Sequence, residues 1–447
     1  MDATNLSYAL HERKYLDPLS RAVLYSFTGK VSKAVGLNIE ATLPGAAVGS
    51  ICRLDISPNQ KPVLAEVIGF RGNNVVLMPL EETHGINSQS RVTLITKQAT
   101  VRISDKLLGR VLDGAGNPMD KMPLPTDGVE MPLYAAPVNP LEREPITDTL
   151  DLGVRALNGL LTCGSGQRMG IMAGSGVGKS VLLGMTARYT KADVNVIALV
   201  GERGREVREF LERDLGKEGL ARSVVVVATS EQSALVRMRA AYLATTIAER
   251  FADQGKKVLL LMDSLTRFCM AQREIGLSMG EPPATKGYTP SVFAVLPRLL
   301  ERAGARGEKG GSITGLYTVL VEGDDMDDPI ADAARGILDG HIVLSRHLAD
   351  KGHFPSIDVL RSISRVMAAV ATQEHKDLSS QMRELMSTYR EAEDLINIGA
   401  YVRGSNPKID KAIALNDFIT RFLRQDVRDK TSIQDTVAVM RAIVRGA

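Results

Sequence analysis

The chain has 447 residues, 44% of them hydrophobic and 24% charged, an ordinary balance for a globular protein with room for two or three cores. Its formal net charge of +3 is too small for the electrostatic footprint of a nucleic-acid binder. The three cysteines (Cys52, Cys163, Cys269) are widely spaced, as in a reducing cytoplasm, and neither a signal peptide nor a bilayer-spanning apolar run is evident.

Residues 1–23 read as a separate docking segment. Asn5–Leu16 can form a short helix with Leu6, Ala9 and Leu10 on one face, stopped by Asp17-Pro18, and a frayed terminus fits the same residues equally well. From residue 24 to 95 the pattern changes to strands at Leu37–Ala41, Val48–Leu54, Val63–Phe70, Asn74–Met78 and Arg91–Ile95. Short strands at this spacing predict a small β-barrel. Phe70 is their sole aromatic, which speaks against a base-stacking surface and a nucleic-acid partner.

Residues 96–370 alternate strands with helices, the signature of an α/β domain whose parallel sheet is covered on both faces. The predicted strands are Gln167–Met172, Val194–Val200, Ser223–Thr229, Val258–Asp263, Ile313–Leu320 and His341–Leu344. The predicted helices are Lys179–Tyr189, Arg205–Leu215, Ser233–Asp253 and Pro290–Ala303. Residues 371–447 read as a C-terminal helical domain. Leu378, Met382, Leu385, Tyr389, Ala392 and Leu395 recur at spacings of three and four on a first helix. A second runs through Ile409, Ala412, Ile413, Ile419 and Phe422, and a third opens with a capping box from Thr431 to Gln434.

The strongest chemical signal is Ala173-Gly174-Ser175-Gly176-Val177-Gly178-Lys179-Ser180, set between the strand Met169–Met172 and a helix that continues through Val181–Met185. Strand, glycine loop and helix N-terminus together form a phosphate-binding loop. The glycines let backbone N–H groups close around phosphates, and the helix dipole adds positive potential. Lys179 is placed to reach the β- and γ-phosphates, and the Ser180 hydroxyl to ligate Mg2+. The chain therefore binds a nucleoside triphosphate, with Gly174 to Val181 lining the site. Val258–Asp263 is an apolar strand ending in a carboxylate, and Asp263 beside such a loop predicts a second Mg2+ ligand. Gly201-Glu202-Arg203-Gly204-Arg205-Glu206 follows a strand directly, at the edge where ligands of parallel sheets bind. Glu202 could polarise the attacking water and Arg203 could meet the γ-phosphate; a solvated charged turn fits the spacing equally well.

Several blocks carry a resemblance. They are Gly201–Glu206, Asp263-Ser264-Leu265-Thr266-Arg267-Phe268, Ala271-Gln272-Arg273-Glu274-Ile275-Gly276, Gly280–Tyr288, Val321-Glu322-Gly323-Asp324-Asp325-Met326 and Pro355–Val366. Together they resemble the flagellum-specific type III export ATPases of bacteria, relatives of the catalytic subunits of rotary ATP synthases. The likeness runs from about residue 24 to 370 and reaches Gly399-Ala400-Tyr401 and Gly404–Pro407 in the C-terminal helices. It implies a RecA-like P-loop NTPase core between barrel and helical domain, and Mg2+-dependent ATP hydrolysis that energises export of flagellar proteins. By the same resemblance Glu202 activates water, Arg203 contacts the γ-phosphate and Arg365 is an arginine finger lent to a neighbouring subunit. Phe354 packs on adenine, with a core phenylalanine as the plain alternative, and Tyr401 adds to that pocket.

The rotary synthases divide base and finger between different subunits, and this chain holds both. It thus completes its sites only with copies of itself, in a closed ring for which the resemblance implies six members. The loop Met279–Pro290 lines the central pore in the family. The resemblance further implies a negative regulator, stalk proteins, chaperone–substrate complexes and a membrane export gate as partners, and a cytoplasmic location at the inner membrane. A virulence secretion ATPase is the nearest alternative; a synthase subunit or an RNA translocase is more distant, and the synthases' acidic stalk-contacting motif is not found.

Overall fold

Strands and helices fall where the hydrophobic pattern changes period, first two and then three to four. The structure is a computed structural model and describes residues 26–56, 61–82, 84–307, 310–321, 323 and 325–445. The helix expected at Asn5–Leu16 lies outside the described residues. The chain divides into two compact units, one ending at Ala99 and the other beginning at Thr100.

In the first unit six antiparallel strands close a barrel in the order β1-β2-β5-β4-β3-β6. They are β1 (Thr28–Val35), β2 (Asn38–Thr42), β3 (Ile51–Asp55), β4 (Val63–Arg71), β5 (Asn74–Pro79) and β6 (Arg91–Thr96). Alternation sends Val31, Ile39, Ala41, Cys52, Leu54, Val67, Leu77 and Val92 to the interior. β1 is an addition to the predicted set. Only Val31 of its eight residues is buried, so it shows no apolar alternation. Its ladders to β2 and β6 hold it instead, and they remove the barrel's open edge.

The second unit is built on a sheet in the order β14-β13-β8-β12-β11-β9-β10-β7, with Gly304–Ala305 paired beside it. These strands are β7 (Val111–Asp113), β8 (Arg168–Ala173), β9 (Val194–Glu202), β10 (Ser223–Thr229), β11 (Lys257–Asp263), β12 (Ser312–Leu320), β13 (Gly340–Leu344) and β14 (Ile363–Ser364). β7 to β13 run parallel, and β14 is antiparallel. β10 is buried along its whole length and β9 along all but its last residue, as expected of strands covered on both faces. The edge strands β7 and β14 are too short to leave a sequence pattern.

The covering helices include α1 (Lys179–Tyr189), α2 (Ala234–Ala252), α3 (Leu265–Ser278), α4 (Pro290–Leu300) and α5 (Pro329–Ile337). Helices α3 and α5 were not predicted. Each opens on a side-chain cap, Ser264 accepting from the Arg267 N–H and Asp328 from those of Ile330 and Ala331. The predicted helix Arg205–Leu215 is α-helical only over Gly204–Glu209 and continues as a wider π-helical turn over Phe210–Leu215.

Three further helices, α6 (Gln373–Asn397), α7 (Pro407–Leu423) and α8 (Ile433–Arg445), share one apolar core with the sheet. Leu378, Met382, Leu415, Ile419, Phe422, Met440 and Val444 pack there with Leu157 and Leu160. The capping box of α8 sits one residue later than predicted. Ser432 accepts from the Asp435 N–H at 3.1 Å and donates to its carboxylate at 2.6 Å. The neighbouring Thr431 is drawn inward, its carbonyl accepting from the Asn158 amide at 3.0 Å.

Candidate active site

The phosphate loop leaves the sheet at the carboxyl end of β8 and enters α1. Gly176 (φ 79°) and Gly178 (φ 88°) adopt the left-handed conformation that a side chain disfavours. Gly178 caps the helix, so Lys179 is its first residue and Ser180 its second. Ser175 and Gly176 are exposed, Val177 is buried, and Gly178 to Val181 are half-buried. A run of glycines at a helix start, partly open to solvent, is a site that holds an anion by backbone N–H groups.

Three ionisable groups converge beside it. The Lys179 ammonium donates to Asp263 Oδ1 at 2.6 Å and to Glu202 Oε1 at 3.5 Å. Their side chains keep only 12%, 5% and 16% exposure. Asp263 ends β11, where Thr318 of β12 also donates to Oδ1 at 2.7 Å. Glu202 ends β9 after a break in register between Val200 and Glu202, with Gly201 at φ 72°. Such a bulge re-aims a side chain, and here it turns Glu202 toward Lys179.

The electrostatics follow from burial and crowding. Burial first, then the charge of Asp263, raises the Glu202 pKa to about 7, against the opposing pull of Lys179. Burial pulls the Lys179 pKa down, and the charges of Asp263 and Glu202 more than reverse this, so the net shift is upward. A carboxyl poised near neutrality beside a fixed ammonium can act as a general base. Ser180 and Asp263 supply a hydroxyl and a carboxylate, hard oxygen donors of the kind Mg2+ shares with phosphates and water. Among the described residues no group of three or more His, Cys, Asp or Glu could hold a metal alone.

Other predicted residues are placed differently. Arg203 follows Glu202 in sequence, yet its guanidinium is exposed and pairs with Glu206 at 3.2 Å. Arg365 is exposed and donates to the carbonyls of Leu338 and Arg335, at 3.3 and 3.2 Å. It follows Ser364, which pairs with Gly340 at the start of β13, whereas Leu344 at the other end of β13 pairs with Ala173. Gly340 to Leu344 spans about 13 Å at about 3.3 Å per residue, so Arg365 lies at the far end of the sheet from its own phosphate loop.

The Phe354 ring, 46% exposed, comes 3.4 Å from where a Cβ on Gly178 would stand. It lies against the loop as a half-open platform and not in the core. The Tyr401 hydroxyl bonds within its own segment, to the Asn406 carbonyl at 3.0 Å and Asp410 at 3.1 Å. The structure does not bring it to the phosphate loop by these bonds. Within Met279–Pro290, Lys286 pairs with Asp325 at 2.8 Å.

Three contributors escaped sequence reasoning. Thr318 is one of several hydroxyl-bearing residues of β12, with Ser312, Thr314 and Tyr317, so nothing local singles it out. Ser356 donates from its hydroxyl to the Val177 carbonyl at 2.6 Å, and nothing local marks it. The strip from Phe354 to Arg365 is held by the C-terminal helical region. The Gln425 N–H donates to the Phe354 carbonyl at 3.0 Å, Arg390 to Asp358 at 2.9 Å, and Arg383 to the Val359 and Ser362 carbonyls.

Residues 153–364 match the nucleotide-binding domain of the ATP synthase alpha/beta family, and residues 31–94 match that family's beta-barrel domain. Residues 371–442 match the C-terminal domain of the type III secretion ATPase EscN. The flagellum-specific ATP synthase of Bacillus subtilis is 52% identical over 429 residues, covering 96% of this chain and 98% of that protein. The type 3 secretion system ATPase of Sinorhizobium fredii is 50% identical, covering 92% and 91%. Among solved structures, the assembled ATPase EscN of enteropathogenic E. coli in complex with its central stalk EscO superposes with a TM-score of 0.86 at 47% identity, covering 93% of this chain and 100% of that one. Sequence, barrel, nucleotide-binding core and helical C-terminus thus agree along nearly the whole length, and the chain belongs to the ATP synthase alpha/beta family, among the ATPases of its flagellar and type III secretion branch.

Proposed function

We propose that this ATPase works as a closed ring of six copies, with Mg2+, and energises export of flagellar proteins through a type III apparatus. One arrangement carries the reading: Glu202, Lys179 and Asp263 meet at the phosphate loop, while Arg365 stands at the opposite end of β13. A chain built this way can offer Arg365 to a neighbour's site and receives one in turn.

In the mechanism the loop N–H groups and Lys179 hold the β- and γ-phosphates. Ser180 and Asp263 would hold Mg2+, which when bound offsets phosphate charge. Glu202 accepts a proton from water as the water oxygen bonds to the γ-phosphorus and the bond to the departing ADP oxygen breaks. The neighbour's Arg365 meets charge that builds on the phosphoryl oxygens. Phe354 offers an apolar face for the base, Tyr401 adds to that pocket, and Arg203 meets the γ-phosphate only by leaving Glu206. Ala271-Gln272-Arg273 and Gly323-Asp324-Asp325-Met326 favour the flagellar branch, whereas the similarity to EscN of enteropathogenic E. coli supports the virulence-type alternative. Loss of flagella with other secretion intact, in cells lacking the protein, separates the two. A stalk protein, a regulator, chaperone-bound cargo and a membrane gate complete the proposed partners. Among the described residues no helix is long and apolar enough to cross a membrane, so attachment to the inner membrane's cytoplasmic face would run through those partners.

Glu202→Gln tests the chemistry. The variant should bind ATP like the parent and hydrolyse it about a hundredfold more slowly, the scale of a lost general base. Near-normal turnover would remove Glu202 from the mechanism.

A further inference from the structure

A phosphate loop turns its N–H groups inward, so its carbonyls must turn outward and find partners there. Three do so in this chain. The Ala173 carbonyl accepts from the Val321 N–H and that of Gly178 from the Leu182 N–H, both at 3.0 Å. The Val177 carbonyl accepts from the Ser356 hydroxyl at 2.6 Å. The first two donors are backbone and persist whatever the side chain; the third is a single hydroxyl.

Ser356 is 1% exposed and Val177 2%, so bulk water cannot replace that hydroxyl. The serine is itself fixed. Its carbonyl accepts from the Ser345 N–H at 2.8 Å, and the next residue, Ile357, bridges to Leu344 at the end of β13. The peptide it secures, between Val177 and Gly178, is one that can turn over, because Gly178 has no Cβ to oppose the change. Turned over, that peptide would aim the Val177 carbonyl at the phosphates and take the Gly178 N–H away from them.

We propose that Ser356 is a positioning residue for nucleotide binding, its hydroxyl locking the Val177–Gly178 peptide in the anion-accepting orientation. The proposal rests on the reading of 173–180 as the phosphate site of ATP. Without the lock the loop divides its time between two orientations, and affinity falls with the competent fraction. Phosphate binding still selects the competent form, so chemistry in the bound state is spared.

The test measures, on the full chain with Mg2+, the Kd for ADP and for a fluorescent ATP analogue together with steady-state hydrolysis. Ser356→Ala should weaken both Kd values by about tenfold and raise KM to match, with kcat within about twofold of the parent. Ser356→Cys, a weaker donor of similar size, should fall between, and Ser356→Thr should restore tight binding. A merely structural serine would lower the melting temperature and leave the Kd of the folded protein unchanged. Parental affinity in the Ala variant overturns the proposal, as it does in the Cys variant should the Ala protein not fold. A parent protein that is folded but binds neither nucleotide overturns the phosphate-site reading itself, and the role of Ser356 with it.

Discussion

At the scale of single residues, Glu202 carries the clearest pH signature. Its pKa near 7 arises because burial and the Asp263 charge both disfavour the ionised form. In the proposed mechanism the base is the deprotonated carboxylate, so kcat/KM for ATP, which reports the free enzyme, should rise as pH increases through about 7 and level off above it. The rise should vanish in Glu202→Gln. In Asp263→Asn the charge that raises Glu202 is gone, so any residual activity should begin its rise at lower pH. A kcat/KM profile flat between pH 6 and 8 in the parent would detach the titration from catalysis. Arg203 shows the other side of residue-level reasoning. Its place in sequence suggests a phosphate contact, yet its guanidinium pairs with Glu206, one turn along.

At the scale of elements, α1 is the part whose position matters most, because it carries Lys179 and Ser180. Gly184 lies on its buried face, where an added Cβ would stand 2.6 Å from the Asp214 carbonyl oxygen and 2.8 Å from the Asp214 Cβ. Backbone atoms cannot step aside as a flexible side chain can. Gly184→Ala should therefore lose about 1–3 kcal/mol of stability, the usual cost of overpacking, despite the better helix propensity of alanine. Denaturant unfolding at constant m-value checks it; a stabilised variant would mean that the helix moves freely against 210–215.

Gly184 also marks where the sequence stops being legible. Features whose causes lie within a few residues could be read directly: the phosphate loop, the β-run ending at Asp263, the register of α1, the heptad-like spacing of α6. Features whose causes lie on a distant strand could not. β1 is shaped by its neighbours in the barrel, Thr318 and Ser356 approach the site from the far part of the chain, and Gly184 looks like any helix glycine until Asp214 is placed beside it. Glu202 stood between two equal readings until the bulge at Gly201 showed its direction. The cap of α8 moved from Thr431 to Ser432 because a tertiary hydrogen bond claimed the threonine region.

At the scale of the whole molecule, the shared site proposed for Glu202 and Arg365 would make activity a property of the assembly. Glu202→Gln and Arg365→Ala should each be nearly inactive alone, since a finger supplied in trans contributes on the order of 10³ or more in rate elsewhere. Mixed rings of the two should recover part of the parent activity, because some interfaces pair an intact base with an intact arginine. Verified mixed rings with no recovery at any ratio would refute the shared site.

The strip from Phe354 to Arg365 adds a consequence of its own. One end rests on the chain's own phosphate loop and the other carries the arginine proposed to leave for a neighbour, while Arg383, Arg390 and Gln425 grip it between. In a closed ring of such chains every strip points the same way round. News of a bound nucleotide then travels with a compass bearing, from each copy to the one neighbour that holds its arginine, and a circle of identical parts acquires a clockwise and an anticlockwise that differ.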